Sequence, residues 1–428
     1  MASSAAPHPF RIRDFRFYWT ARLASTVAQM SMIIVIGWQV YDIARDPQRG
    51  AMDLEQAALQ LGFIGLVQFV PLFALTLVTG WVADRVDRRF IARASIALEL
   101  ACALTLAILT YTGATTLPWL FAVAALLGVA RAFAGPALGA LAPNLVPRES
   151  LPQAIALSSM SWQSGAIAGP AVGGYLYAWE PHMPYAVSAG LFAVSLLCMF
   201  MIRPIARSEI QGSRNPWRQM VDGLHYVRRN RLVLGAISLD LFAVLLGGAT
   251  AMLPVFARDI LHSDATALGH LRAAPAVGAT LTALYFSWRP LKHDVGTKML
   301  AAVAVFGAAT IAFGLSRNMI LSVFCLALLG SADMVSVYVR QSLIQLYTPD
   351  AMRGRVGAAS TLFISASNEL GEAESGFLAA LIGPVVAVVA GGIGAIAVTL
   401  LWARWFPELR RARTFDPPDD LPREGATA

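Results

Sequence analysis

Apolar residues run through this chain in blocks separated by short polar turns. Twelve blocks are long enough to cross roughly 30 Å of hydrocarbon: residues 20–43, 57–81, 90–112, 117–141, 153–178, 184–203, 233–257, 265–287, 298–316, 318–345, 356–380 and 384–405. Backbone groups without hydrogen-bond partners are prohibitive in lipid, so each block is predicted to be a helix. Six fall in each half, which divides the chain into an N-terminal segment (1–19), a first bundle (20–203), a linker (204–232), a second bundle (233–405) and a tail (406–428).

The halves are related. Sliding the sequence by 202 positions lays Leu126–Ala178 on 328–380 without a gap and matches 13 of 53 positions, among them Gly128 with Gly330, Pro147 with Pro349, Gly169 with Gly371 and Gly174 with Gly376. Small and turn residues carry much of the match, so what repeats is backbone geometry. The chemistry diverges: Arg131 stands opposite Asp333, and Pro170 opposite Glu372. The expected fold is therefore an all-α integral membrane protein, twelve transmembrane helices in two pseudo-symmetric six-helix bundles.

Composition agrees: 57% hydrophobic and 14% charged residues, with a mean hydropathy of +0.60, leave too little polar surface to cover 428 residues in water. Met1–Arg16 has no apolar core followed by a cleavage site, so the first apolar run is expected to stay in the protein. The three cysteines sit in apolar runs and read as packed hydrophobes. Charge sets the orientation. With both termini in the cytoplasm, 25 of the 33 basic residues are cytoplasmic and only Arg45, Arg49, Arg258 and Arg317 are outside. The remaining four, Arg22, Arg131, Arg272 and Arg340, fall within spans. In the linker, Trp217, Met220, Leu224 and Val227 recur at helical spacing and predict an interfacial helix. The tail from Thr414, with Pro417, Pro418 and acidic residues, reads as disordered.

Charged residues at membrane depth are costly unless a partner or cavity compensates, so each is a candidate for function. Arg131 lies in the fourth span, Glu99 in the third, Asp240 in the seventh, Asp333 and Arg340 in the tenth, and Glu369, Glu372 and Glu374 in the eleventh. Asp333 and Arg340, seven residues apart, share a helical face, as do Glu369 and Glu372, while Glu374 points elsewhere. Any one of these can be an architectural ion pair; as a set they point to proton coupling or solute binding.

Three groups of residues carry a resemblance. Gly80, Asp84, Arg85, Arg88 and Arg89, on the turn between the second and third spans, resemble the signature loop of the major facilitator superfamily, with Asp87 where that family usually has glycine. Gly165, Gly169, Pro170, Gly173 and Gly174 resemble its antiporter signature, with Ala156 replacing the upstream glycine. Pro349-Asp350 through Val356, Ser367 through Gly371, and Phe406 through Arg410 are similar to the enterobactin exporter branch of the drug:proton antiporter group. The resemblance implies a proton-coupled secondary transporter of the cytoplasmic membrane that exports a small amphipathic molecule, siderophore or drug-like. It also implies that Gly80, Asp84, Arg85 and Arg88 latch one conformation and that the fifth-span glycines form a hinge. Arg131, Asp240, Asp333, Glu369, Glu372, Arg340 and Glu99 are then the coupling or cavity set.

An importer or uniporter, a non-transporting sensor and a polytopic membrane enzyme are the competing readings. Against an enzyme, the chain has no H-E-x-x-H, G-x-S-x-G or phosphate-cradling loop with lysine. No cofactor or metal is expected. The expected partners are a small-molecule substrate, protons and the bilayer, with no nucleic acid, and a monomer is the expected unit.

Overall fold

The computed structural model describes residues 8–49, 51–204, 216–289, 291 and 293–414. Among them the chain is helical throughout, with no strand. The first bundle is built from α1 (Arg13–Ala44), α2 (Leu54–Arg85), α3 (Arg88–Tyr111), α4 (Leu117–Leu141), α5 (Leu151–Trp179) and α6 (Met183–Met201). A linker helix, α7 (Pro216–Arg229), leads to α8 (Arg231–Leu246), the short α9 (Leu253–Val255), α10 (Ala265–Trp288), α11 (Val295–Leu315), α12 (Met319–Tyr347), α13 (Asp350–Ile382), α14 (Pro384–Trp405) and α15 (Pro407–Arg411). Twelve long helices thus occupy the twelve apolar blocks, and an even number of crossings puts the start of α1 and the end of α14, the described ends of the bundles, on one face. The expectation of a disordered tail falls on 415–428, outside the described residues.

Helix starts are written in capping residues. Asp53 accepts a hydrogen bond from Gln56 N at 2.7 Å while Gln56 reaches back to Asp53 N, a reciprocal cap on α2. Asp264 accepts from Thr266 N and Ala267 N at the start of α10, and the Thr266 hydroxyl holds its carboxyl below the usual aspartate range. Asp87, where the resembling loop has glycine, caps α3 through Arg89 N at 2.9 Å. The Arg89 guanidinium, 2.6 Å away, holds the Asp87 carboxyl below its ordinary value. Asp87→Ala is expected to cost about 0.5–1 kcal/mol, the low end for a partly exposed cap. Because the folded carboxyl is depressed, that contribution is present above the ordinary aspartate pKa near 4 and is lost as pH falls through the lower folded value. Unfolding of both proteins across pH 7 to 2 checks this, and a difference that stays constant to the acid end refutes it.

The seventh span is not the single helix expected over 233–257. α8 ends at Gly247, whose N–H bonds Ala243 O; a tight turn covers Ala249–Met252, and the span closes with a π-helical turn, Phe256–Ile260. Gly247, Gly248 and Pro254 supply the break. It is held by packing, because a Cβ on Gly248 would collide with Gly371 O of α13, and one on Gly247 with the Phe306 ring of α11.

Nine described segments are apolar enough to cross a membrane by length and composition; α5, α10 and α13 are not among them. These three carry the glycine stripe of α5, His270 and Arg272 of α10, and the acidic residues of α13. They form the seam between bundles, where α13 packs on α2 and α10 on α5. The seam is tight enough to require glycine: a Cβ on Gly62 would lie 3.0 Å from Gly376 Cα, and one on Gly174 would meet Ala265 O. Polar composition therefore marks the helices that face the other bundle instead of lipid alone.

Candidate functional site

Polar groups of both bundles gather at the seam and directly behind it. In the first bundle, Arg131 of α4 donates to Gln68 Oε1 of α2 at 3.2 Å, and Gln29 of α1 donates to the buried Glu99 of α3 at 2.9 Å. Arg131 is within electrostatic reach of Glu99, so the two bonded pairs, one on α2 and α4 and one on α1 and α3, lie in one region of the bundle. In the second bundle, Arg272 of α10 pairs with Glu372 of α13 at 3.3 Å, and its second guanidinium nitrogen reaches Thr250 O at 3.4 Å. Gln68, Arg272, Glu372 and Thr250 all line one cavity of about 50 Å³ between the bundles, walled otherwise by apolar residues such as Ile34, Leu61, Ile64 and Leu268. That volume admits a water or two. Its polar groups nevertheless come from both halves, the arrangement a solute site between bundles requires.

Asp240, Asp333 and Arg340 form a separate cluster inside the second bundle, between α8 and α12. Arg340, 1% exposed, bonds Asp240 at 3.2 Å with Asp240 itself 4% exposed. Asp333 lies within charge-interaction range of both. Among the described residues, Arg340 Nε and Nη1 and the Ser336 hydroxyl are buried with no hydrogen-bond partner. The shared face of Asp333 and Arg340 is thus real, but its main partner comes from α8. Sequence alone gathers this cluster, Arg131 and Glu372 into one set; the structure divides them into a seam network and an intrabundle triad. The Glu369 side chain lies outside the described residues.

The antiporter-like stripe divides in the same way. A Cβ on Gly165 would meet Thr26, one on Gly169 would meet Met30 and Val27 O, and one on Gly173 would meet Ser31, all on α1 within the same bundle. Its second half also touches the other bundle, where Gly174 and Pro170 O meet Gly269 of α10. Of the signature loop, Gly80, Asp84 and Arg85 fall in the last turns of α2 with their side-chain surroundings outside the described residues, and Arg88 opens α3.

On the face opposite the termini, charges clasp the bundles together. Arg45 at the end of α1 pairs with Asp259 at 3.1 Å, Tyr41 donates to the same carboxylate at 2.5 Å, and Arg258 pairs with Asp42. Nearby, the Tyr175 hydroxyl and His270 Nε2 are 2.7 Å apart across the seam. Arg258 and Asp259 both stand on the π-helical turn that ends the seventh span, which turns successive side chains toward α1. The charge count treats Arg45 and Arg258 only as outside loop charges and misses this clasp. Gln29 and Gln68 also join the site without being named by sequence, and Arg272, which sequence places within a span, is not assigned to the site by it; a polar residue inside an apolar run is the available signal.

These features define a membrane transporter whose two halves meet at a small polar seam. The family model described as transmembrane secretion effector matches residues 3–422, and the chain belongs to that family, within the major facilitator superfamily. It is 28% identical over 420 residues to the enterobactin exporter EntS of Citrobacter koseri, covering 95% of both chains. It is 31% identical over 288 residues to that of Escherichia coli O1:K1, 66% of this chain and 67% of that protein. Among solved structures, a bacterial homolog to the human lysosomal transporter Spinster, in inward-facing and occupied conformation, superposes with a TM-score of 0.72 at 14% identity, covering 94% of this chain and 99% of the other. A D-xylose-proton symporter does so at 0.70 and 13% identity, covering 92% and 98%. The structural likenesses carry the twelve-helix fold; the chain is a transporter and not an enzyme.

Proposed function

We propose that this chain is a proton-coupled exporter of a small amphipathic molecule, siderophore-like or drug-like, in the cytoplasmic membrane with both termini in the cytoplasm. The observation that carries the proposal is the Arg272–Glu372 pair on the cavity wall, facing Gln68 and through it Arg131. A carboxylate paired to an arginine on the wall of a cavity that widens to admit solute can exchange partners. Ionised Glu372 can exchange Arg272 for a hydroxyl or cationic group of the solute that donates to it; a proton taken up by Glu372 removes that charge and favours release of the solute. One site thus alternates between proton and solute, which is antiport. A membrane potential supplies about 2.3 kcal/mol per charge per 100 mV, so one or two protons suffice for a useful gradient.

The relatives named enterobactin exporters support outward transport of a siderophore-sized solute, and the charge bias supports the orientation. The clasp on the face opposite the termini supports a state closed to the outside and loaded from the cytoplasm. In that reading the Asp240–Asp333–Arg340 triad, Glu369 and Glu99 assist proton passage, and Gly80, Asp84, Arg85 and Arg88 latch the opposite state, with Gly165 through Gly174 as the hinge. The test is proton-dependent movement of enterobactin and of amphipathic drugs in everted vesicles carrying the full chain. Wild type is expected to accumulate solute under an imposed proton gradient, and Glu372→Gln to lose that dependence. Accumulation of solute by intact cells, driven by this chain, would overturn the exporter reading in favour of import.

A further inference from the structure

A second cavity, of about 1490 Å³, lies under the second bundle on the face of the termini, away from the seam. Its walls are α7, the first residues of α8, the end of α12, the start of α13, and α15 with the residues that follow it to Thr414. Among the described residues, five arginines line it, Arg229, Arg231, Arg355, Arg411 and Arg413, against two carboxylates. Both carboxylates are engaged: Asp222 pairs with Arg355 at 3.2 Å and Glu408 with Arg231 at 2.8 Å. Arg229, Arg411 and Arg413 are the surplus, with His225 beside them.

The remaining wall is mostly apolar, with Val221, Leu232, Tyr347 and Met352 beside the polar Asn230 and Thr414. Leu232 stands in the first turn of α8, Tyr347 ends α12 and Met352 opens α13, so the cavity sits at the level where the spans leave hydrocarbon. The general excess of arginine on this face accounts for their number. It does not account for five of them converging on one concavity with an apolar wall, since like charges so gathered repel one another. Guanidinium groups offer paired donors that match phosphate oxygens, and a basic recess between membrane helices is suited to a lipid headgroup.

We propose that this cavity binds the phosphate of an anionic phospholipid, with Arg229, Arg411 and Arg413 on the phosphate and the glycerol and first methylenes along Leu232 and Met352. The occupied site joins the linker helix to the second bundle: Asp222 and Arg355 already connect the two, and a Cβ on Gly223 would collide with Arg355 O. A lipid there fixes the helix that tethers one bundle to the other.

The experiment is native mass spectrometry of the purified full chain exchanged into detergent with phosphatidylglycerol, cardiolipin or phosphatidylcholine. The first two are expected to stay bound and the third to dissociate. Arg411→Gln and Arg413→Gln are each expected to weaken retention about fivefold, whereas Arg13→Gln, at an exposed arginine near the N-terminus, leaves it unchanged. Millimolar glycerol phosphate is expected not to displace the lipid. Equal retention of phosphatidylcholine, or retention unaffected in both single variants, overturns the proposal. Displacement by glycerol phosphate assigns the cavity to a soluble phosphate and overturns the lipid as its source. A gain in lipid binding on truncation after Thr414 means that the acidic tail, with Asp416, Asp419 and Asp420, competes for the cavity as its occupant, and also overturns it. Each single variant retains the other arginines, and an unchanged melting profile verifies its fold.

Discussion

Asp240→Ala is expected to destabilise the protein by about 3–5 kcal/mol, the cost of stranding a buried charge. Arg340 is 1% exposed and has Nε and Nη1 without partners among the described residues, so Asp240 is its principal compensation. Thermal unfolding of the purified protein measures the effect. Replacing both residues, Asp240→Leu with Arg340→Met, is expected to recover most of the loss, because an apolar pair of similar volume needs no compensation. If the single variant unfolds with wild type, Asp333, in range of the same guanidinium, is the true counter-charge, and Asp333→Asn then carries the penalty. Efflux in the double variant separates the roles: a stable protein that no longer couples solute to protons places the triad on the proton path.

Arg258→Glu is expected to open the face opposite the termini, shifting the population by about tenfold or more. The reversed charge faces Asp42 and sits next to Asp259, turning attraction into repulsion. Both clasping pairs are partly exposed, with side-chain exposures of 29% and 22% for Arg45 and Asp259, so each is worth only about 0–1 kcal/mol. Tyr41 adds a hydrogen bond to a charged group, about 1.5–3 kcal/mol at most. Moving an equilibrium from one extreme to the other takes about 5.5 kcal/mol. The clasp is thus strong enough to set a resting state and weak enough for solute to undo. Labelling of a cysteine introduced at Leu61, on the cavity wall, from the face opposite the termini reports the opening. Asp42→Arg added to Arg258→Glu is expected to close it again, and a double variant as open as the single one disproves the clasp.

The twelve helices are legible in sequence because lipid forbids any other use of an apolar block, and the halves because glycine positions repeat. Pairing is not legible in the same way. Arg131 and Asp333 match under duplication, yet they serve different neighbours, Gln68 and the triad on α8 and α12, since equivalent positions in two bundles do not have to meet. Asp87 reads as a departure at a glycine position and is a helix cap. The inter-bundle clasp is hidden for a different reason: Arg258 and Asp259 stand just past the expected end of the seventh span at 257, where they count only as loop charges, whereas the π-helical turn carries the span on to Ile260 and brings them against α1.

The break in the seventh span joins the cavity wall to the clasp through one stretch of backbone. Thr250, whose carbonyl accepts from Arg272 on the cavity wall, and Arg258 and Asp259, which clasp α1, belong to one short irregular segment after Gly247. A regular helix would carry these groups on a rod, whereas here a packed, irregular segment links them. The same few residues thus contact Arg272 on the cavity wall and hold α1 on the far face, so a change at Arg272 is expected to be felt at the clasp.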